Sequence, residues 1–317
     1  MIPTVRVIMP AYNARRFIRA AIQSVQRQSL KDWEMVVVDD GSTDDTAEIV
    51  AGLGDGRISL IRQENCGPEA ARHKGLEGCR TEFVAAMDAD DEMADDRLER
   101  QAAFLRANPQ VSAVGGQIMF LSEDGRKRGF ASHWPLEHDA IVRQMLKIRC
   151  AFCNATVLCR REVRQQISYE HRGGPGADVD AACQMARLGR LANLPQVVHY
   201  VRIHDQSIQS SFDPISRLQR TRFALSRASA VLAGRETPSW QQFLEEWNSR
   251  SILHRAADAR EMLLGRLSRK AQWCWLNGAM IPRGYLYMAA AAMLAPGRVM
   301  RRITSRLFGG GFDDSRA

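Results

Sequence analysis

The stretch "VIMPAYNARRFIRAAIQSVQRQSLKDWEMVVVDDGSTDDT", Val7 to Thr46, holds one strand–helix–strand unit and the start of a second helix. The β-branched apolar run beginning at Thr4 stops at Pro10 and reads as a buried strand. Phe17, Ile18, Ala21, Ile22 and Val25 then recur at helical spacing. Trp33 to Asp40 forms a second buried strand that closes on two carboxylates. Ser42 and Asp45 are spaced as a capping box for the helix that follows. Working outward, Ile58–Gln63 predicts a third strand, "GPEAARHKGLEGC" a helix and "EFVAAMD" a fourth strand. Helices alternating with strands that are apolar on both faces indicate a mostly parallel sheet covered by helices.

In open sheets of this class, ligands bind beyond the carboxyl ends of the strands. Two acidic clusters fall there: Asp39-Asp40, and the segment Asp88 to Glu92, in which four of five residues are acidic. Like charges so close repel one another, so their placement marks a site. Downstream, "DDRLERQAAFLRANPQ" reads as a helix ending near Pro109, and "VSAVGGQIMFLSEDGR" as a strand entering a Gly-rich turn. "CNATVLCRREV" predicts another strand, "GADVDAACQMARLG" a helix with an acidic start, and "QVVHYVRIHDQSIQS" the close of the first unit. From about residue 215 the pattern is helical, with Trp240, Phe243, Leu244 and Trp247 on one stripe that reads as packed on the first domain.

The bulk numbers frame this reading. With 317 residues, 45% hydrophobic and 25% charged, the chain has an ordinary globular composition, and its length suits a large domain plus an accessory part. The N-terminus carries no signal-peptide pattern, which leads to the expectation of a cytoplasmic protein. The seven cysteines are irregularly spaced and read as free thiols; Cys150 and Cys153 form a CxxC with no second pair at zinc spacing. The net charge of +8 is uneven: from residue 215 onward 17 Lys and Arg face 7 Asp and Glu, while residues 1–214 hold 27 and 29. That distribution argues against nucleic-acid binding by the whole chain and for a local contact with an anionic surface. Tyr285–Phe308 joins an apolar run, too short to span a bilayer, to Arg298, Arg301, Arg302 and Arg306. It reads equally as an interfacial helix on an anionic membrane or as a solvated basic end.

Four blocks together resemble the family-2 glycosyltransferases of GT-A fold: Val7–Thr46, "NCGPEAARHKGL" (Asn65–Leu76), "MDADDEMADDRL" (Met87–Leu98) and "YVRIHDQSIQS" (Tyr200–Ser210). The resemblance covers roughly residues 3–212 and leaves the last hundred without a relative. It implies an α/β, Rossmann-like, mixed but mostly parallel sheet flanked by helices. The division is then a nucleotide-sugar-binding catalytic domain at 1–212 and a basic helical extension at 213–317. The implied activity is transfer of a sugar, with inversion, from a nucleotide diphosphate, a UDP-sugar being the first choice. The acceptor would be a hydroxyl of a cell-surface or lipid-linked glycan, at the inner face of the membrane.

The resemblance also implies roles for residues. Asp88, Ala89 and Asp90 form a D-x-D, with Asp90 the ligand of a Mg or Mn ion and Asp88 toward the ribose. A divalent cation reconciles these carboxylates with an anionic diphosphate. Pro10, Ala11, Tyr12 and Asn13 match the loop where the base packs, and Asp40 the acid that contacts base or ribose. Arg72 is a candidate phosphate contact, His73 standing where the family usually has asparagine. Asp178 matches the catalytic base, although Ala177 replaces the customary preceding glutamate. His204 matches a histidine near the metal or diphosphate, with Val201 separating the tyrosine and arginine of that motif. The missing glutamate leaves open a non-catalytic protein that keeps a nucleotide-sugar pocket. A nucleotidyltransferase would need a Gly-rich triphosphate loop, which "PAYNARR" lacks.

Overall fold

The computed structural model describes residues 2–146, 151–168, 176–204 and 214–251, with isolated helical positions beyond. The strands are β1 (Val5–Ala11), β2 (Trp33–Asp39), β3 (Ile58–Arg62), β4 (Phe83–Ala86), β5 (Glu92–Met93), β6 (Val111–Leu121), β7 (Lys127–Ala131), β8 (Leu158–Arg160) and β9 (Arg190–Arg202). The helices of the first unit are α1 (Ile18–Gln26), α2 (Thr46–Ala51), α3 (Pro68–Leu76), α4 (Arg97–Ala107), α5 (His138–Met145), α6 (Arg161–Gln165) and α7 (Ala177–Leu188). Two more follow, α8 (Pro214–Leu232) and α9 (Trp240–Ser249).

The sheet runs β3-β2-β1-β4-β8-β6-β9-β5, with β7 beside β6. β1 pairs in parallel with both β2 and β4, and β2 with β3. β8 is antiparallel to both β4 and β6, whereas β6 and β9 are parallel. The expectation of a mixed, mostly parallel sheet flanked by helices holds. The chain steps outward from β1 through β2 to β3, then returns to the other side of β1 as β4. That reversal opens a crevice at the carboxyl ends of β1, β2 and β4.

Burial explains the strands' composition. Val5, Val7 and Met9 of β1 pack with Ile18, Ile22 and Val25 of α1 on one face. Ile8 joins a second core on the other face, with Leu76 of α3. Each such side chain, fully buried, contributes about 1.5–3 kcal/mol of transfer free energy. Gly75 lets α3 lie close to the sheet, since a Cβ there would stand 2.6 Å from Ile8 Cγ2.

Local readings diverge at three places. The Ser42–Asp45 capping box does not form: Ser42 Oγ accepts from the Asn13 amide, while Asp44 Oδ1 accepts from Thr46 N at 3.0 Å. The loop between β1 and α1 thus takes the hydroxyl that local spacing had given to the helix. "CNATVLCRREV" divides into a 3-10 turn (Asn154–Thr156), the short β8 and α6. The two-residue β5 exists only by pairing with β9, far along the chain. In the C-terminal part the apolar stripe packs elsewhere than on the first domain: Phe243 and Trp247 of α9 bury against Leu218 and Phe223 of α8, a neighbouring apolar face that local periodicity does not identify. Cys66, Cys79, Cys153, Cys159 and Cys183 are free thiols; Cys150 and Cys274 lie outside the described residues. So do the motif's end, Asp205–Ser210, and nearly all of Tyr285–Phe308.

Candidate active site

The crevice is built from the strand tips. After β1, Pro10 is half-buried and Ala11 buried, its carbonyl accepting from Asp40 N at 2.8 Å. Asn13 adopts φ +50°, and its Oδ1 accepts from Thr43 N at 2.9 Å. Tyr12 is 51% exposed, so its ring is accessible to stack on a flat ligand.

Asp39 and Asp40 close β2, and both are buried. Asp39 Oδ1 accepts from Ser42 N at 3.0 Å, and its Oδ2 faces Arg62 Nε at 3.2 Å. Asp40 Oδ1 accepts from Gln63 Nε2 (2.7 Å) and Cys66 N (2.9 Å), and Oδ2 from Gly67 N (2.8 Å). A carboxylate offers about four acceptor positions; three of Asp40's are spent on folding the Asn65–Gly67 loop over the end of β3.

The D-x-D segment follows β4. Ala89 is buried, while the side chains of Asp88 and Asp90 remain 38% and 35% exposed. Arg72, buried on α3, bridges Glu69 Oε1 (2.6 Å) and Asp88 Oδ1 (2.8 Å). Lost hydration raises the Asp88 pKa; Arg72 opposes the shift, and Asp90 and Glu69 add to it.

His204 Nε2 lies 2.9 Å from Asp90 Oδ2, and its ring packs on Phe17 at 4.7 Å. Its Nδ1 is buried with no partner among the described residues. A proton on Nδ1 would leave Nε2 to face a cation together with Asp90. Among the described residues no three His, Cys, Asp or Glu side chains make a closed cation cage. The donor atoms that could hold a Mg or Mn ion here are those of Asp90 and His204, oxygen and imidazole nitrogen beside a partly open turn.

Sequence reasoning left Asp91 without a specific role. It is buried, 2.9 Å from His199 Nε2, and its Oδ1 accepts from Arg202 N at 2.8 Å. On the far side of the ring, Arg97 Nη1 lies 2.9 Å from His199 Nδ1. A guanidinium only donates, so Nδ1 accepts and Nε2 carries the proton toward Asp91. Burial, with Arg97 adding, holds the His199 pKa well below its usual value. Burial alone brings Arg97 down to about 9 and lifts Asp91 well up, Asp90 and Asp88 adding to the latter. Arg202 also donates from Nε to Asp90 O (2.9 Å) and from Nη2 to Glu92 Oε1 (2.8 Å). The acidic turn is thus clamped by β9. Local pattern gives no clear signal: Val197 and Val201, in phase with His199 on the strand, and Ile203 just beyond it are only half-buried, while adjacent Val198 is buried with His199.

Asp178 stands in the first turn of α7, where the helix dipole favours a carboxylate. Its side chain is open to solvent yet crowded at longer range by protein, as at the wall of a cleft. The lost hydration pushes its pKa up to about 6; Arg72 and Arg164 oppose this, while Glu69 and Asp88 add to it. Arg72 and Asp88 thus form one contacting pair and His204 and Asp90 another on the same acidic turn; Asp178, 90 positions beyond Asp88, is linked to the first pair by long-range charge, and Tyr12 and Asn13 follow β1.

Among curated proteins, a Bacillus subtilis (strain 168) glycosyltransferase named for teichuronic acid biosynthesis, TuaG, is 36% identical over 170 residues, covering 52% of this chain and 65% of its own. The Escherichia coli UDP-Glc:alpha-D-GlcNAc-diphosphoundecaprenol beta-1,3-glucosyltransferase WfgD is 29% identical over 166 residues, covering 52% and 63%. The match thus spans somewhat less than two thirds of either relative. Among solved structures, S. aureus TarS in complex with UDP-GlcNAc superposes with TM-score 0.57 at 17% identity, covering 96% of this chain and 91% of that one. The Pyrobaculum calidifontis mannosyltransferase PcManGT, in complex with GDP-Man and Mn2+, gives 0.54 at 21% identity, covering 96% and 80%. These likenesses establish the GT-A fold. The model named Glycosyl transferase family 2 matches residues 6–167, about half of the chain and every strand from β1 to β8; the protein belongs to that family and is a glycosyltransferase.

Proposed function

We propose that the protein catalyses metal-dependent, inverting transfer of a sugar from a nucleotide diphosphate to a hydroxyl of a lipid-linked or cell-surface glycan. The observation that carries this reading is the open acidic turn: Asp88, 2.8 Å from Arg72 Nη2, and Asp90, 2.9 Å from His204 Nε2, each keep about a third of the side chain exposed, and Asp178, raised in pKa, is the candidate base. A base poised close to working pH is ionised when the acceptor arrives and strong enough to take its proton. Attack from that side, opposite the departing diphosphate, inverts the anomeric carbon. Tyr12 and the Pro10–Asn13 loop receive the base of the nucleotide, Asp40 its ribose or base edge, and Arg72 turns from Asp88 toward phosphate. When bound, a Mg or Mn ion offsets the charge that grows on the leaving diphosphate.

A UDP-sugar is the first donor to try, in view of the fold shared with TarS and the sequence shared with WfgD. The lipid-linked acceptor rests on WfgD and on the basic extension after residue 212. No helix among the described residues is long and apolar enough to cross a membrane. Our reading places the catalytic domain in the cytoplasm, with the extension on the anionic inner leaflet. The loss of a glutamate at Ala177 favours a non-catalytic reading, but the raised basicity of Asp178 speaks for catalysis. The test is a screen of UDP- and GDP-sugars for Mn-dependent binding and slow hydrolysis. Hydrolysis lost in Asp90→Ala and in Asp178→Asn supports the reading; binding without any turnover would favour the scaffold.

A further inference from the structure

The family match ends at residue 167, before the helix that bears Asp178. One face of that helix packs into the core of the first unit, through Ala181, Ala182, Cys183 and Met185; its entry and first turn also rest on the C-terminal extension. Asp180, two residues past Asp178 and so on roughly the opposite side of α7, is buried, and Arg227 of α8 is buried against it, with Nε 3.2 Å from Asp180 Oδ2. Arg227 Nη1 also reaches Thr237 Oγ1 at 3.4 Å, and its guanidinium lies 5.7 Å from the Phe223 ring centre. The chain enters α7 through Gly176, at φ +94°, pressed against α8: a Cβ there would stand 2.6 Å from Ala224 Cβ and 3.2 Å from Thr221 Cα. Both the entry and the first turn of the catalytic helix are therefore seated on α8. On the other side of α8, Phe223 and Leu218 pack on Phe243 and Trp247 of α9.

We propose that the Arg227–Asp180 pair and the Gly176–Ala224 contact make the extension a positioning element for the catalytic base, with Arg227 its positioning residue. This rests on Asp178 being the base. A general base acts only from a defined distance, and a displacement of about 1 Å costs on the order of a hundredfold in rate. The donor's groups, on β1, β2, β4 and α3, make no part of this seat. Loosening α8 should therefore lower turnover and leave donor binding alone. A helix that served only to stabilise the fold would lower both together, through the fraction folded.

The experiment uses the full chain, with Mn2+ and the UDP-sugar that binds it best, and reads donor hydrolysis beside the dissociation constant of UDP. Arg227→Met is expected to lower kcat about ten- to a hundredfold, with UDP affinity within about threefold of wild type and most activity regained in Arg227→Lys. Should an unpaired Asp180 prevent folding, Asp180→Asn with Arg227→Met removes both buried charges, and the same loss of kcat is expected. Wild-type kcat in the double variant, or kcat and UDP affinity falling in parallel with no rescue by lysine, would overturn the proposal. Asp178→Asn, run alongside, separates the two claims. If it is inactive while Arg227→Met is active, only the seat is refuted; if it is active, the base assignment falls and the seat with it.

Discussion

Asp40 and Asp88 follow β2 and β4, the two strands that flank β1, and they are used in opposite ways. Asp40 is 3% exposed and accepts three hydrogen bonds, two of them from backbone amides of the loop it folds. Asp88 keeps more than a third of its side chain exposed and meets one buried arginine. Its pKa is raised, so its charge is disfavoured in the folded protein. One carboxylate spends three acceptor positions on the scaffold and keeps at most one for the nucleotide, while the other is held at a cost to stability in a place where a charged ligand can use it. Acidity alone does not separate the two; the partners do.

That contrast can be broken by substitution. The largest effect belongs to the open side of the crevice. Asp178→Asn should lower kcat about 10²- to 10⁴-fold in steady-state transfer or hydrolysis, with UDP affinity retained. In wild type, kcat/KM should fall as pH drops through about 6, because the base must be ionised to act, and should level off above it. A profile flat from pH 5 to 8 would detach Asp178 from the chemistry.

Next comes stability. Asp40→Ala removes three part-buried hydrogen bonds, those to Gln63 and to the amides of Cys66 and Gly67, at about 0.5–1.5 kcal/mol each. The midpoint of urea unfolding should fall accordingly. The smallest effect is at Asp88. Its folded pKa lies above the unfolded one, so its ionisation weakens the fold as pH rises between the two values. Asp88→Asn should therefore change stability at neutral pH by no more than about 1 kcal/mol, and in the stabilising direction. Equal unfolding midpoints for Asp40→Ala and Asp88→Asn would erase the distinction.

How much of this was legible beforehand follows the same division. The parallel strands, their helices and the acidic tips were readable because local periodicity and chain order encode them; β1 and β2 lie within about one residue of the predicted spans, and α1 and α3 within about three. Asp88, Asp90, Arg72 and Asp178 were reached through motif resemblance; the fold brings Arg72 against Asp88, next to Asp90 on the same turn. What stayed hidden depends on pairing across long separations. Asp91 and His199 are 108 residues apart, and β5 has no identity until it meets β9. Asp180 and Arg227, 47 apart, carry no local pattern that says they meet. The Ser42–Asp45 spacing misled because a capping motif is a local rule, and the Asn13 amide, 29 residues away, competed for the hydroxyl.

The central claim is that the turn Asp88–Asp90 stays open to bring a nucleotide diphosphate and a divalent ion together. Calorimetric titration of UDP into the full chain, with Mn2+ and with excess chelator, in wild type and in Asp90→Ala, tests it most directly. The account predicts binding that requires Mn2+ in wild type and is lost in the variant. UDP binding equally well under chelation, and unchanged in Asp90→Ala, would contradict it.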